Sequence, residues 1–221
     1  MGQAMWHRYF AGLVSTGAPS ADVSDFLERA GRADTLVHCR AVATQAQGLA
    51  ERFGVSRERA NLAALSHDLA AVVPLESAVD VAESLGLIPD PIERVAPVLL
   101  HGPIAAAVLG ETLGIVDREI LDAVRYHTTS RPVAGVLERL IFVADKIALD
   151  PTAPVRDFVP AVRAAARESL ELAGFVYLDW GLIHGPQLGW TLHPNTSAAY
   201  TELKRAGFRV RGSGDPAEAG R

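Results

Sequence analysis

Apolar residues recur at helical spacing along most of the chain, and the alternation typical of half-buried strands is scarce. In residues 34–53 the apolar positions follow this spacing, and Gly54 stands where a helix stop is expected. Ser56 is of the residue type that caps a helix N-terminus, so a second helix is predicted from there to residues 67 and 68. The pattern therefore predicts an all-α protein.

The same periodicity predicts the later helices. The segment GVLERLIFVADKIA is so apolar that its helix must run through the core. An alanine-rich stretch that starts at Arg156 is interpreted as one long helix ending near Trp180. The later helices predicted in this way, these two included, cover residues 74–86, 104–113, 117–128, 132–148, 156–180 and 194–206.

The 221 residues fit a single domain that is long enough to bury a core. We divide the chain into an N-terminal extension at 1–30, a main domain at 31–206, and a tail at 207–221. The tail is rich in glycine, proline and charge, and it is predicted to be disordered. Trp6, Tyr9 and Phe10 of the extension are expected to pack on the body or on a partner.

Composition narrows the class of protein. With 49% apolar residues, disorder is excluded as the main state, and a net charge of −5 is opposite to that of a general nucleic-acid binder. The single cysteine, Cys39, suits a reducing cytoplasm, and no apolar run approaches the roughly 18 residues of a membrane span. We expect a cytoplasmic protein with a small-molecule partner, without nucleic-acid or membrane partners.

Several predicted helix ends carry residues of types that ligate metals. Imidazole and carboxylate together suit first-row divalent ions, and helical bundles build such sites from facing helices. Asp145 lies in the apolar segment LIFVADKIA, where an ionised carboxylate needs a partner or a metal. The candidate ligands are His38, His67, Asp68, His101, His127 and Asp145.

Each candidate taken alone has a plainer reading. A single histidine is more often a satisfied core or surface residue, and Asp145 alone would as readily form a salt bridge as bind a metal. Cys39, beside a candidate ligand, is expected to be a buried packing residue. We leave His7, His184 and His193 outside the ligand set.

The order H…HD…H…H…D is similar to that of the HD superfamily of metal-dependent phosphohydrolases. Within it, the stretches LLHGPIAAAVLGETLGI, REILDAVRYHTTSRP and LERLIFVADKI resemble the bacterial YqeK-type family of symmetrical bis(5′-nucleosyl)-tetraphosphatases, which cleave diadenosine tetraphosphate to two ADP. The resemblance covers residues 34–206, including LHPNTSAAYTEL. It implies an HD-domain helical bundle with a metal centre in its core.

The resemblance also implies a ligand assignment. His38, His67, Asp68 and Asp145 would hold one ion, and Asp68 would share a second ion with two further histidines, His101 and His127. Iron is the expected metal, as divalent or trivalent ions, with manganese, cobalt, zinc and nickel as alternatives. The two ions would activate a shared water and clamp the attacked phosphate.

Four residues around His127 are implied to face the phosphates. The guanidinium group of arginine matches the geometry of phosphate oxygens, and hydroxyls donate hydrogen bonds to them. The expected catalytic residues are therefore Arg125 and Arg131, together with the metal ligand Asp68. The alternatives are a solvated helix charge for Arg125 and a helix C-terminal cap for the threonines. The expected substrate-binding residues are Arg125, Thr128, Thr129 and Arg131.

Two departures from the family pattern keep other functions open. Ala71 stands where the family often has a lysine, and Lys146 stands where a tyrosine is common. One alternative is therefore an HD phosphohydrolase that acts on a mononucleotide or an alarmone. Another is a nucleotide-binding regulator without turnover. A homodimer would need an exposed apolar patch, which periodicity alone does not reveal.

Overall fold

The computed structural model describes residues 5–149 and 156–209. Over these residues the protein is all-α, as predicted, and contains no strand. Most of the tail predicted to be disordered lies outside the described residues. The helices are α1 (His7–Phe10), α2 (Pro19–Arg29), α3 (Ala33–Phe53), α4 (Arg57–Ser66), α5 (Ala78–Ser84), α6 (Pro91–Val95), α7 (His101–Leu113), α8 (Arg118–Tyr126), α9 (Val136–Ala148), α10 (Phe158–Ala165), α11 (Leu170–His184) and α12 (Pro194–Arg205).

Local signals in the sequence explain where several helices start and stop. Gly54 ends α3 in a left-handed conformation with φ of 68°, which glycine adopts without steric cost. The Ser56 hydroxyl accepts a hydrogen bond from the Arg59 backbone N–H at 3.2 Å and so caps α4. The Asp117 carboxylate caps α8 by accepting from the Glu119 N–H at 3.0 Å. These predicted boundaries are confirmed.

Two other predicted boundaries were wrong. The helix expected from residue 132 begins at Val136, because Gly135 before it is in an extended conformation. The single helix expected over 156–180 is two helices, α10 and α11. Ser169 between them is extended, and its hydroxyl accepts from the Leu172 N–H at 3.0 Å. This cap starts a new helix where alanine content alone had predicted continuation.

Helix α9 is the centre of the bundle. It contacts α3, α4, α8, α10 and α11, and Leu140, Val143 and Ala144 along it are fully buried. Helix α7 packs on α8, so that the start of α7 lies beside the end of α8. The apolar segment identified in the sequence thus runs through the core, as expected, and carries Asp145 into it.

The N-terminal segment shares the core of the main domain. Phe10, Leu13 and Leu27 belong to the same buried cluster as the central helices, and α2 packs on α3 and α4. The Tyr9 hydroxyl donates to the Ser77 hydroxyl at 2.9 Å. The aromatic side chains of this segment therefore pack on the body of the protein.

No single helix among the described residues is long and apolar enough to cross a bilayer. Two consecutive segments, Arg57–Val72 and Leu75–Ser84, reach that length and apolarity only together, and the chain bends by 90° between them. Their apolar residues, such as Leu69 and Val81, are fully buried in the core, which accounts for their composition.

The close approach of α7 to α8 predicts opposite effects for two glycines. A Cβ at Gly102 would lie 2.6 Å from the Arg125 carbonyl oxygen, whereas at Gly110 its nearest neighbour would be 3.6 Å away. We expect Gly102→Ala to lower the free energy of unfolding by about 1–3 kcal/mol, because the backbone must shift. The control Gly110→Ala should raise it by about 0.5–1 kcal/mol through helix propensity. Urea unfolding measures both, and equal effects would contradict the close contact.

Candidate metal centre

The structure brings all six predicted ligands to one place. His38 projects from the second turn of α3 and Asp145 from the last turn of α9. The others lie at helix ends: His67 closes α4, Asp68 follows it, His101 opens α7, and His127 closes α8. The ends of α4, α7 and α8 therefore converge on one cluster, which α3 and α9 complete.

One group of ligand atoms surrounds the second carboxylate oxygen of Asp68. Asp68 Oδ2 lies 3.3 Å from His67 Nε2 and 3.9 Å from His38 Nε2. Asp145 Oδ1 lies 3.0 Å from His38 Nε2 and 3.9 Å from His67 Nε2. The two imidazole nitrogens are 3.3 Å apart. These four side chains form a first candidate ion site.

The other oxygen of Asp68 faces a second group. Asp68 Oδ1 lies 3.4 Å from His101 Nε2 and 3.6 Å from His127 Nε2, and these two nitrogens are 2.9 Å apart. The Thr128 hydroxyl lies 3.1 Å from His101 Nε2 and 3.0 Å from His127 Nε2. The Asp68 carboxylate therefore stands between two sets of ligands, one on each oxygen.

The spacing of these atoms fits first-row metal ions. Two ligands that each lie about 2.1 Å from an ion are about 3.0 Å apart at a right angle and about 3.4 Å apart at a tetrahedral angle. Four of the eight distances between these ligand atoms fall in this range, a fifth is 2.9 Å, and the other three are 3.6–3.9 Å. A carboxylate with one oxygen in each group is suited to bridge two ions.

The histidine tautomers also fit a metal. His67, His101 and His127 each place Nδ1 within 2.5–2.8 Å of the carbonyl oxygen three residues earlier. Nδ1 must be the donor there, so in the neutral ring Nε2 carries a lone pair. The Nε2 atoms of His101 and His127, 2.9 Å apart, then face each other with two lone pairs. A cation between them removes this repulsion.

Charges within the cluster place Asp68 and His127 in the protonation state that metal binding requires, whereas His67 must release a proton to become a ligand. Burial alone would raise the pKa of Asp68, but the charge of His67 and the neighbouring His127 hold it well below its usual range. Burial opposes a charge on His67, yet the Asp68 carboxylate raises its pKa well above the usual value. Burial lowers the pKa of His127 to about 4. The carboxylate is ionised and His127 is neutral at neutral pH, as ligation requires.

Lys146 is a buried partner of the centre that sequence reasoning did not assign to it. Its Nζ lies 2.5 Å from Asp145 Oδ2, so Asp145 offers only its other oxygen to the ion site. Burial would lower the pKa of Lys146, but the Asp145 carboxylate raises it above its usual value. In the sequence, this lysine stands out only as a departure from the family pattern. Its position next to Asp145 in an apolar segment was the available signal.

Cys39 is a further possible metal donor at the edge of the cluster. Its thiol is fully buried and lies within 4.8 Å of ligand atoms of His67 and Asp68. Its hydrogen bond to His67 contributes to the raised pKa of that histidine. Cys39 is therefore buried as expected, and it also contacts a ligand.

The two predicted threonines have different surroundings. The Thr128 hydroxyl reaches the His101 and His127 nitrogens and thus adjoins the second ion site. Thr129 is buried, and its hydroxyl donates to the Ser130 carbonyl at 3.0 Å. Of the two, only Thr128 has its hydroxyl directed at the metal centre.

Arg131 is occupied by carboxylates. Its Nε and Nη2 lie 3.0 and 2.9 Å from the two carboxylate oxygens of Glu138, and Nη2 lies 2.9 Å from Asp122 Oδ2. The guanidinium also stacks over the Tyr126 ring at 4.4 Å. Glu138 is almost fully buried, so its charge depends on Arg131. The geometry favours a structural role for Arg131 over the phosphate contact expected from the sequence.

Two adjoining cavities open beside the centre and share Leu99, Thr129 and His193. The smaller, about 160 Å³, is called the basic cavity because Arg125 lines it, and Glu93 and Tyr126 line it as well. The larger, about 430 Å³, is called the aromatic cavity. Its lining includes Thr128, Tyr177, Leu178, Trp190, Thr191 and Leu192.

The pairing of Asp145 with Lys146 predicts a stability effect. Lys146→Met leaves a buried carboxylate without its cation, so we expect the metal-free protein to lose about 3–5 kcal/mol in urea unfolding with a chelator. Adding divalent metal should restore part of this loss, because the ion replaces the positive charge. The chain has one other lysine, the exposed Lys204, and Lys204→Met is the matched control. Equal stabilities of the two variants would contradict the pairing.

Comparison with known proteins agrees with this geometry. The HD domain family matches residues 35–150. A Bacillus subtilis protein named symmetrical bis(5′-nucleosyl)-tetraphosphatase is 37% identical over 169 residues, which cover 76% of this chain and 88% of that protein. A protein of the same name from Halalkalibacterium halodurans is 32% identical over 173 residues, or 75% of this chain and 87% of the relative.

A solved structure shares the fold. The crystal structure of a Clostridium acetobutylicum protein, described as an HD superfamily hydrolase involved in NAD metabolism, superposes with a TM-score of 0.78 at 28% identity and covers 84% of this chain and 97% of its own. The resemblance found in the sequence is thus confirmed. The chain belongs to the HD domain family, and within it to the family of the symmetrical bis(5′-nucleosyl)-tetraphosphatases.

Proposed function

We propose that this protein hydrolyses diadenosine tetraphosphate symmetrically to two molecules of ADP, using two metal ions. Three relatives, which match 76%, 75% and 53% of the chain, carry the name of this activity. The single observation that carries the proposal is the Asp68 carboxylate, which directs one oxygen to each of two imidazole pairs. Such a bridge suits attack by water on a phosphoryl group.

An HD domain binds divalent metal, and the cluster around Asp68 supplies the ligands. We propose two ions, because His38, His67 and Asp145 form one cluster and Asp68, His101 and His127 form another, and the second oxygen of Asp68 lies 3.3 Å from His67 of the first. Iron is the proposed metal. Imidazole nitrogens with carboxylate oxygens suit it, and the same donors suit manganese, cobalt, zinc and nickel.

Bound ions supply Lewis-acid stabilisation of phosphate oxygens and make a water easier to deprotonate. The chain's own residues hold and orient the reacting groups. Asp68 and the imidazoles fix the positions of the ions, and Lys146 keeps Asp145 in a single orientation. The Thr128 hydroxyl, beside His101 and His127, is placed to donate to a phosphate oxygen. Arg125 in the basic cavity offsets negative charge on the polyphosphate.

The reaction consumes one water for each dinucleotide. The water oxygen bonds to one of the two inner phosphorus atoms, and the bridge between the inner phosphates breaks on the side of that phosphorus. One ADP leaves with the bridging oxygen, and the other retains the oxygen from water. We also propose a cytoplasmic location, since the only cysteine of the chain is a free thiol.

Asp68→Asn tests the bridge. We expect hydrolysis of diadenosine tetraphosphate to fall at least about a hundredfold, since a shared anionic ligand becomes neutral. Metal analysis of anaerobically purified protein should give two ions per chain for the natural sequence and fewer for the variant. His7→Ala, which removes an exposed histidine outside the cluster, is the control and should leave hydrolysis and metal content unchanged.

Product analysis separates the proposed reaction from its alternatives. Chromatography of the products should show ADP alone. Formation of ATP with AMP would contradict symmetrical cleavage, and faster turnover of a mononucleotide or an alarmone would contradict the proposed substrate. Tight nucleotide binding with zero turnover under every metal would contradict an enzymatic role.

Two arginines near His127 should respond differently to removal. Arg125→Ala is expected to raise the KM for diadenosine tetraphosphate about tenfold with little change in unfolding, because the side chain lines a cavity. Arg131→Ala should instead destabilise the fold by about 3–5 kcal/mol, since buried Glu138 loses its partner. Kinetics and urea unfolding of both variants measure the contrast. A stable Arg131 variant with a raised KM would show that Arg131 binds phosphate.

A further inference from the structure

The aromatic cavity adjoins the metal centre at two points. Thr128 lines it, and the same hydroxyl lies 3.0 Å from His127 Nε2. Tyr177 lines it as well, and the Lys146 ammonium that binds Asp145 lies 5.1 Å from the Tyr177 ring centre. A ligand in this cavity is therefore beside the second candidate ion site, and Tyr177 and Lys146 lie between it and Asp145 of the first.

The lining of this cavity is suited to a flat, largely apolar group. Leu178 and Leu192 form part of its wall, and the indole of Trp190 and the ring of Tyr177 supply aromatic surface. Its volume of about 430 Å³ lies within the range of small-molecule sites, which are mostly apolar with a few placed polar groups. Thr128 and Thr191 provide hydroxyls at its edge.

Trp190 is held in place although 41% of its surface is exposed. Its backbone N–H donates to the Gly185 carbonyl at 2.9 Å, and its ring lies 5.7 Å from that of Trp180. Gly185 permits the close approach, because a Cβ there would lie 3.1 Å from the indole. An exposed tryptophan is unremarkable by itself, but this one is fixed at the border of a cavity beside a metal centre.

The two cavities differ in character, although a dinucleoside polyphosphate has two identical ends. The basic cavity, about 160 Å³, contains Arg125 and is the smaller, while the aromatic cavity has the larger volume and the indole. Arginine suits phosphate, and aromatic faces suit bases, which stack on them with little dependence on sequence. The surroundings of the metal centre are thus asymmetric.

We infer that the aromatic cavity binds one nucleobase of the substrate by stacking on Trp190, while the polyphosphate runs past the metal centre towards Arg125. This inference rests on the proposed function for the identity of the substrate. Stacking recognises only one of the two identical bases, so the enzyme binds a symmetrical substrate asymmetrically.

Binding of ADP and of pyrophosphate to the metal-loaded protein tests this without turnover. Equilibrium dialysis of Trp190→Ala should show a Kd for ADP about tenfold weaker, because a stacking partner is lost. The Kd for pyrophosphate, which has no base, should stay within about twofold. Trp190→Phe should largely restore ADP binding, and Trp6→Ala, the same type of change at a distant half-buried tryptophan, should leave it unchanged.

The outcomes separate this inference from the proposed function. The inference of base stacking on Trp190 is wrong if the Trp190→Ala variant binds ADP as tightly as the natural protein, or if its affinities for ADP and for pyrophosphate fall equally. This holds even if diadenosine tetraphosphate is hydrolysed. If the base-dependent loss occurs but the dinucleotide is not hydrolysed, the cavity binds a nucleobase and the assigned substrate is wrong. Two equivalent ADP molecules per chain, both weakened by the variant, would contradict recognition of a single base.

Discussion

The carboxylate of Asp68, held between two pairs of imidazoles, is the constraint on which the rest of the structure depends. Its two carboxylate oxygens lie 3.3 Å from His67 Nε2 and 3.4 Å from His101 Nε2, and these two histidines lie at the ends of different helices. A buried carboxylate is costly unless cations or hydrogen bonds surround it. Helices α4, α7 and α8 accordingly end or begin at the cluster, and the fold and the site are one arrangement.

Positive charges inside the protein determine which side chains face the centre. Lys146 neutralises one oxygen of Asp145 and leaves the other for the ion site. Arg131 is used in a different way, because Glu138 is buried beside it and binds the edge of the guanidinium formed by Nε and Nη2. Lys146 and Arg131, two cations that lie close in sequence to metal ligands, thus have different roles. Arg125, which borders a cavity, is the arginine that we propose meets the polyphosphate.

Much of the fold could be read from local sequence. Apolar spacing and the caps at Ser56 and Asp117 predicted the helices on either side of the centre, because capping involves residues only two or three apart. The break at Ser169 was missed, since alanine favours continuation and only the observed cap interrupts it. The packing of the N-terminal segment into the same core was also left open, because periodicity does not say which faces meet.

By itself, the sequence determined the all-α class, the family and the six ligand types, since these depend on residue identity, order and periodicity. Only the tertiary structure decided that Asp68 presents one oxygen to each imidazole pair, that Lys146 occupies Asp145, and that Arg131 binds Glu138. Asp68 and His101 are 33 positions apart, and the orientation of side chains that far apart is fixed by helix packing. Local patterns in a sequence carry no information about such angles.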